Sequence, residues 1–294
     1  MPIASKRTFL SIVAAAVLAA CTVPPAGADE FTPTRFSVEV AGQGPDVIFI
    51  PGLASSRDVW SAQAEALAAT HRVHLVQVAG FAGDAAPAST DAILPPLVAE
   101  LDQYIASATD APPAVIGHSM GGLAGLMLAR ASRTGRAADG GDTPPFYSAL
   151  FGPSLTVEMV EPQARGVRTN IAAADDAAFA AMQSAGVARL VKTPERRPEV
   201  AAWGAASNRA VFAQAMYEVM TTDMRPDVAS LTMPLRVVYA YDASMGPEAN
   251  VDALFRGGYA AAPNVTFTRI DGSLHFIMLD QPAAFQATVE DFLR

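Results

Sequence analysis

A serine in a glycine-flanked motif is the first feature of this sequence that could carry covalent chemistry. Residues 117–121 read GHSMG, a G-x-S-x-G, between a short predicted strand at 114–116 and a helical pattern that begins at Gly121. This strand–turn–helix context is what a nucleophile elbow requires, because a strained turn lifts the hydroxyl clear of the sheet. The glycines give the backbone room to pass. We therefore predict that Ser119 is a nucleophile.

A serine hydroxyl reacts poorly at neutral pH unless a general base removes its proton. The chain has four histidines. His71 and His74 flank a predicted strand upstream of the motif, and His118 shares the serine's tight turn, where its side chain should point elsewhere and have a packing or supporting role. His275 lies in a turn between the last predicted strand and the last predicted helix, from which a loop side chain can reach the sheet edge. His275 is the predicted general base.

The base in turn needs a carboxylate that orients its ring. Asp242 directly follows the predicted strand 235–240, so its side chain is expected at the carboxyl edge of the sheet, where ligands collect in open α/β folds. The chain order is then serine, aspartate, histidine, one of the orders known for such triads. Asp242 is the predicted acid, with Asp271 as its rival and Asp252 as a weaker alternative.

A tetrahedral intermediate also needs hydrogen-bond donors for its oxyanion. The backbone N–H of Met120, the residue after the nucleophile, is the first predicted donor. The second is the N–H of Leu53, on the loop after an early predicted strand. Pro51 has no N–H, and Gly52 allows close approach of the backbone.

The elements that must position these residues alternate between strand and helix patterns, which predicts a parallel sheet. The fold class is therefore α/β, a mostly parallel central sheet flanked by helices. Its core is expected to comprise residues 35–152 and 231–294. Residues 153–230 have no strong strand run and are predicted to form a helical cap insertion, and the Gly- and Pro-rich residues 135–145 are expected to be a surface loop.

The N-terminal residues resemble an export signal. Lys6 and Arg7 precede an apolar run at 9–20, so residues 1–28 are predicted to be a signal peptide and tether. Residues 18–21, LAAC, resemble a bacterial lipobox, which predicts cleavage before Cys21 and lipidation of its thiol. The alternative is cleavage after the A-x-A site at 26–28. The protein is then expected to be a periplasmic or membrane-anchored lipoprotein, or else secreted and soluble.

The composition excludes several classes of protein. The chain has 294 residues, 51% of them hydrophobic and 17% charged, which indicates a globular rather than a disordered or fibrous protein. Its formal net charge of −9 should repel nucleic acid and anionic lipid. Cys21 is the only cysteine, so no intramolecular disulfide can form. Neither a metal nor a cofactor is expected.

Taken together, these motifs resemble the α/β-hydrolase superfamily. The resemblance covers nearly all of residues 35–294, weakly in the cap, and is carried by IPGL at 50–53, GHSMGG at 117–122, YAYD at 239–242 and GSLHF at 272–276. It implies a serine hydrolase of the esterase kind. The family commonly has His-Gly in the oxyanion loop, where this chain has Pro51-Gly52. The backbone N–H donor of this loop is retained, but the histidine side chain that could assist it is absent.

The sequence leaves three functions open. The first is a carboxylic ester hydrolase that forms an acyl-enzyme with a small to medium apolar substrate. The second is an enzyme that has the same triad but acts on a different bond, as lactone hydrolases, carbon–carbon hydrolases and cofactor-free haloperoxidases do. The third is a non-catalytic, lipid-anchored binding protein. Epoxide hydrolases and haloalkane dehalogenases are disfavoured, because they have Asp where this chain has Ser119.

Overall fold

The computed structural model of the protein describes residues 31–132 and 136–294. The predicted signal and tether, residues 1–28 with Cys21, lie outside the described residues. Phe31–Arg294 forms one compact unit. Among the described helices, none has the length and apolar character needed to cross a bilayer.

A seven-stranded mixed sheet forms the centre of this unit, in the order β1-β3-β2-β4-β5-β6-β7. β1 runs antiparallel to β3, and every other neighbouring pair is parallel. The predicted α/β fold class is confirmed. The strands are β1 (Phe36–Ala41), β2 (Asp46–Ile50), β3 (Arg72–Val78), β4 (Ala114–His118), β5 (Arg136–Gly141), β6 (Leu235–Tyr241) and β7 (Val265–Asp271).

Helices cover both faces of the sheet. Successive side chains of a strand point to opposite faces, so Ile48 and Ile50 of β2 pack in one apolar cluster while Val47 and Phe49 pack in another. Central strands that are apolar on both faces are typical of parallel sheets. The described helices are α1 (Ser61–Leu67), α2 (Leu94–Ala108), α3 (Met120–Ser132), α4 (Val157–Ala173), α5 (Asp176–Val187), α6 (Arg197–Ala206), α7 (Arg209–Thr221), α8 (Glu248–Gly258), α9 (Ile277–Asp280) and α10 (Pro282–Leu293).

The expected surface loop at 135–145 is wrong in part, because residues 136–141 form β5. The sequence of β5, RAADGG, has none of the β-branched or aromatic residues that favour strands. β5 nevertheless pairs in parallel with β4 on one side and β6 on the other. Its strand conformation therefore comes from its two neighbours rather than from its own sequence.

Four helices, α4 to α7, lie within residues 153–230, the stretch that the sequence predicts to be a cap and that is called the cap segment below. Glu218 of α7 is almost fully buried and accepts the N–H groups of Ile93 and Leu94 at the N-terminus of α2, at 2.6 to 3.1 Å. These N–H groups have no partner within their own helix, and a carboxylate is favoured at a helix N-terminus. At the start of α7, the Asn208 N–H donates to the Gly80 carbonyl at 2.7 Å.

The buried carboxylate that joins the cap to α2 leads to a prediction about stability. Glu218→Ala should lower the free energy of unfolding by about 1–3 kcal/mol, because it leaves two buried N–H groups without an acceptor. Glu65→Ala is the matched control, since Glu65 is an exposed helical glutamate on α1, and it should change stability by less than about 0.5 kcal/mol. Urea unfolding followed by circular dichroism measures both. Equal effects of the two variants would contradict the prediction.

Candidate active site

Ser119 lies in a strained turn between β4 and α3. Its φ is +55°, a left-handed value that few residues other than glycine adopt. Three hydrogen bonds hold this conformation: the Ser119 N–H donates to the Gly141 carbonyl, and the Ser119 carbonyl accepts from the Leu123 N–H and the Thr143 hydroxyl, each at 3.0 Å. Strain of this kind persists only where the surroundings enforce it, and it is common at active sites.

Two glycines allow other segments to approach this turn. A Cβ atom on Gly121 would lie 2.2 Å from the carbonyl oxygen of Ile50, so α3 can begin this close to the end of β2 only with glycine there. A Cβ atom on Gly52 would lie 3.2 Å from Cβ of Ser119. The loop after β2 therefore lies directly against the serine.

The two predicted oxyanion donors lie on the segments next to the serine. Met120 is the first residue of α3, and the N–H groups of a first helical turn have no partner within the helix. Leu53 follows Gly52 in the loop that approaches Ser119. Both segments therefore lie next to Ser119, and α3 begins there with the positive end of its helix dipole.

His275 shares a cavity with Ser119. This cavity has a volume of about 680 Å³ and lies at the carboxyl edge of the sheet. Nδ1 of His275 lies 2.8 Å from Oδ2 of Asp142, while Oδ1 of Asp142 accepts the Ala240 N–H at 3.1 Å. Asp142 therefore has the position that an orienting carboxylate takes in a serine triad.

The prediction that Asp242 orients His275 is wrong in this structure. Oδ2 of Asp242 accepts from Nζ of Lys192 at 2.7 Å, and its Oδ1 accepts from the hydroxyl of Ser244 at 2.6 Å. Hydrogen bonds from Lys192 and then Ser244 hold the pKa of Asp242 well below its usual range. Asp242 does follow β6 as expected, but its carboxylate forms an ion pair with Lys192 of the cap segment.

The two alternative carboxylates are also engaged elsewhere. Asp271 accepts from Arg269 at 2.7 Å, and Asp252 accepts from the Tyr239 hydroxyl at 2.8 Å.

Asp142, which contacts His275, is not a candidate from sequence, because the composition of residues 135–145 predicts a surface loop. Residues 136–141 instead form the strand beside β4, and Asp142 is the first residue after it. The argument that favours Asp242, a carboxylate directly after a strand of the sheet, applies equally to Asp142.

His118 connects the serine turn to the loop of His275. Its side chain is completely buried, and Nε2 donates a hydrogen bond to the backbone carbonyl of His275 at 3.0 Å. Burial, and then the charge of nearby His275, hold the pKa of His118 well below its usual range, so the ring is neutral at pH 7. Its ring packs against Phe276 and Trp60, with centroid distances of 4.7 and 6.4 Å.

The cavity beyond Ser119 is mainly apolar. It combines side chains of the core with side chains of the cap segment, and its ionisable Asp, His and Arg members are Asp142, His275 and Arg189. Among the described residues, no cluster of His, Cys, Asp and Glu could hold a metal ion. The larger apolar and aromatic side chains that line it are Leu123, Tyr147, Leu150, Leu190, Val219, Met245, Val251, Leu254, Phe255 and Leu274.

The sequence matches known hydrolases over most of its length. The model of the alpha/beta hydrolase family matches residues 47–288. A pimeloyl-(acyl-carrier protein) methyl ester esterase from Aeromonas salmonicida (strain A449) is 26% identical over 263 residues, which cover 87% of this chain and 98% of that protein.

Solved structures of similar fold include two hydrolases. The esterase from Exiguobacterium antarcticum has a TM-score of 0.74 at 15% identity, covering 88% of this chain and 95% of that one. The enol-lactonase from Burkholderia xenovorans LB400 has a TM-score of 0.70 at 20% identity, covering 88% of this chain and 96% of that one. At these identities the likeness concerns the fold.

The contacts of the two aspartates lead to a prediction about reactivity at Ser119. Asp142→Asn should slow labelling by a fluorophosphonate probe by roughly a thousandfold or more, because an amide no longer favours the required tautomer of His275. Asp242→Asn is the matched control and should stay within about threefold of the unmodified chain, since its partner is Lys192. The labelling rate at fixed probe concentration measures both. A larger loss for Asp242→Asn than for Asp142→Asn would contradict the assignment.

Proposed function

Because this chain belongs to the α/β-hydrolase family, we propose that it hydrolyses carboxylic esters through an acyl-enzyme on Ser119. The observation that carries the proposal is the 2.8 Å contact between Nδ1 of His275 and Asp142, in the cavity that also contains the strained serine. A positioned base beside a hydroxyl held in a left-handed turn is the arrangement that makes serine a nucleophile.

Acylation begins when Oγ of Ser119 attacks the ester carbonyl and Nε2 of His275 takes its proton. Asp142 accepts from Nδ1–H, keeps the ring in this tautomer and stabilises the imidazolium that forms. The oxyanion accepts hydrogen bonds from the N–H groups of Leu53 and Met120, and each such donor typically contributes about 2.7–4 kcal/mol.

The tetrahedral intermediate then collapses to the acyl-enzyme. The carbon–oxygen bond to the alcohol breaks, and His275 returns its proton to the departing alkoxide. A water molecule next attacks the acyl carbon while His275 again acts as base, and the acid is released as the Ser119 hydroxyl is restored. The cycle consumes one water and needs no oxidant, reductant or metal.

Two observations support an ester with an acyl chain as the substrate. The relative from Aeromonas salmonicida is named for the hydrolysis of a methyl ester of an acyl group. The cavity beside Ser119 is large enough for a small to medium substrate and is lined mainly by apolar side chains, which suits an acyl chain.

A non-catalytic binding protein is a weaker explanation of the same site. A non-glycine residue in the left-handed region costs on the order of 1–3 kcal/mol, and a paired histidine and aspartate add nothing to apolar binding. A protein that only bound a ligand would gain nothing from this arrangement.

The proposed chemistry predicts that a fluorophosphonate probe labels the protein at Ser119. Ser119→Ala should abolish fluorophosphonate labelling and lower the hydrolysis of aryl esters by at least about a thousandfold, because it removes the oxygen that is proposed to attack. Ser107→Ala is the matched control, since Ser107 is an exposed helical serine on α2, and it should keep full activity. A folded unmodified chain that is not labelled would favour the binding protein.

An ester series then tests the substrate class. For aryl esters of increasing acyl length, kcat/KM should rise until the chain fills the cavity, by up to about fourfold per added CH2, because each buried CH2 contributes about 0.8 kcal/mol. Lactones of matched size form the comparison arm. Turnover of lactones without turnover of any open-chain ester, despite labelling of Ser119, would shift the assignment to a lactone hydrolase.

A further inference from the structure

Large apolar side chains around the mouth of the active-site cavity remain exposed to solvent. Leu150, Leu190 and Met245 line the cavity and are each more than a third exposed. Phe151 follows Leu150 and is 69% exposed, and its ring packs at 5.8 Å from the ring of Tyr147, which also lines the cavity. Leu150, Phe151, Leu190 and Met245 are called the apolar rim below.

The apolar rim is assembled from separate parts of the chain. Leu150 and Phe151 end the 3-10 turn Tyr147–Phe151, Leu190 follows α5 in the cap segment, and Met245 ends a 3-10 turn after β6. Single exposed apolar residues are normal on a soluble protein, but several grouped around one opening indicate an interaction surface. The fold therefore presents an apolar surface at the entrance to the site.

The charges at this entrance favour a lipid surface over an acidic or basic partner. The whole chain carries a net charge of −9, yet among the described residues Asp142 is the only carboxylate that lines the cavity, and it contacts His275. Arg189 also lines the cavity, and it is an exposed cation beside Leu190. Apolar side chains with a basic residue next to them are typical of protein surfaces that lie in the headgroup region of a bilayer.

The chain enters the fold at the same edge of the sheet as the cavity. Because β1 is antiparallel to β3, Phe36 at the start of β1 pairs with Val78 at the end of β3. Only three strand spacings, about 14 Å, separate β1 from β4, which leads to Ser119. The roughly ten residues between Cys21 and Phe31 could span at most about 35 Å. An anchor at Cys21, as the sequence predicts, would keep this edge close to the membrane.

We propose that the apolar rim docks on the surface of a lipid bilayer and that the cavity takes amphiphilic acyl esters from it. Docking would bury Phe151 and its neighbours among lipid chains and point the cavity mouth toward the membrane. The substrate part of the proposal rests on the proposed ester hydrolysis, whereas the docking part does not.

The first experiment measures docking without an acyl anchor. Residues 29–294, which contain the compact unit Phe31–Arg294 and lack both Cys21 and the apolar run at 9–20, are mixed with phosphatidylcholine vesicles, and their partition is measured by sedimentation. A zwitterionic lipid is chosen because the acidic chain repels anionic lipid. On this background Phe151→Ser should lower the partition coefficient about tenfold or more, since it removes a large apolar side chain from the bilayer. Phe151→Trp should retain it.

Val40→Ser is the matched control. Val40 is 52% exposed, and it pairs with His74 near the start of β3, at the edge of the sheet opposite the cavity. This variant removes a smaller exposed apolar side chain at a site away from the apolar rim and should change the partition by less than about twofold. Equal partition of the Phe151→Ser and Val40→Ser chains would overturn the docking proposal.

The second experiment measures hydrolysis in two settings. For a long-chain aryl ester embedded in the vesicles, Phe151→Ser should lose rate by about the factor by which its partition falls, while a short soluble ester should be hydrolysed at an unchanged rate. Loss of both rates alike would overturn the substrate part. If no variant hydrolyses any ester, the proposed function fails, and the partition measurement still decides on docking.

Discussion

The hydrogen bond from the Ser119 N–H to the Gly141 carbonyl links the end of β4 to the end of β5. This bond helps hold the serine in its left-handed turn, and it also fixes the backbone immediately before Asp142. The residue expected to attack and the carboxylate that contacts His275 are therefore positioned by the same interaction. Because β4 and β5 are adjacent parallel strands, their carboxyl ends bring both residues to one edge of the sheet.

A second contact brings the histidine to the same place. The buried His118 ring donates to the backbone carbonyl of His275, while Asp142 holds Nδ1 of the His275 ring. One contact fixes the loop and the other fixes the ring. Since His118 is adjacent to Ser119, the serine turn contacts both the loop that carries Asp142 and the loop that carries His275. Positioning of this kind reduces the reorganisation that a reaction at the serine would need.

Asp242 belongs to a different set of contacts, which joins the cap segment to the core. It accepts from the Lys192 side chain, and the carboxylate of Asp280 accepts the N–H groups of Lys192 and Thr193 at 3.0 and 2.9 Å. The neighbouring Leu190 carbonyl accepts the Phe276 N–H at 3.0 Å. The wall of the cavity formed by the cap is thus bonded to the residue next to His275, so the position of the cap and the shape of the site depend on each other.

The sequence by itself determined the α/β class, the turn that carries Ser119 and the histidine that shares its cavity. These features are local, since a G-x-S-x-G between a strand and a helix, or a histidine between the last strand and helix, can be recognised from neighbouring residues. Only the tertiary structure decided that Asp142, rather than Asp242, contacts His275. The strand before Asp142 has little strand propensity of its own and forms because β4 and β6 pair with it. Both aspartates follow strands that end at the same edge of the sheet, so their spacing in sequence could not distinguish them, whereas Lys192 from the cap engages one and leaves the other to the histidine.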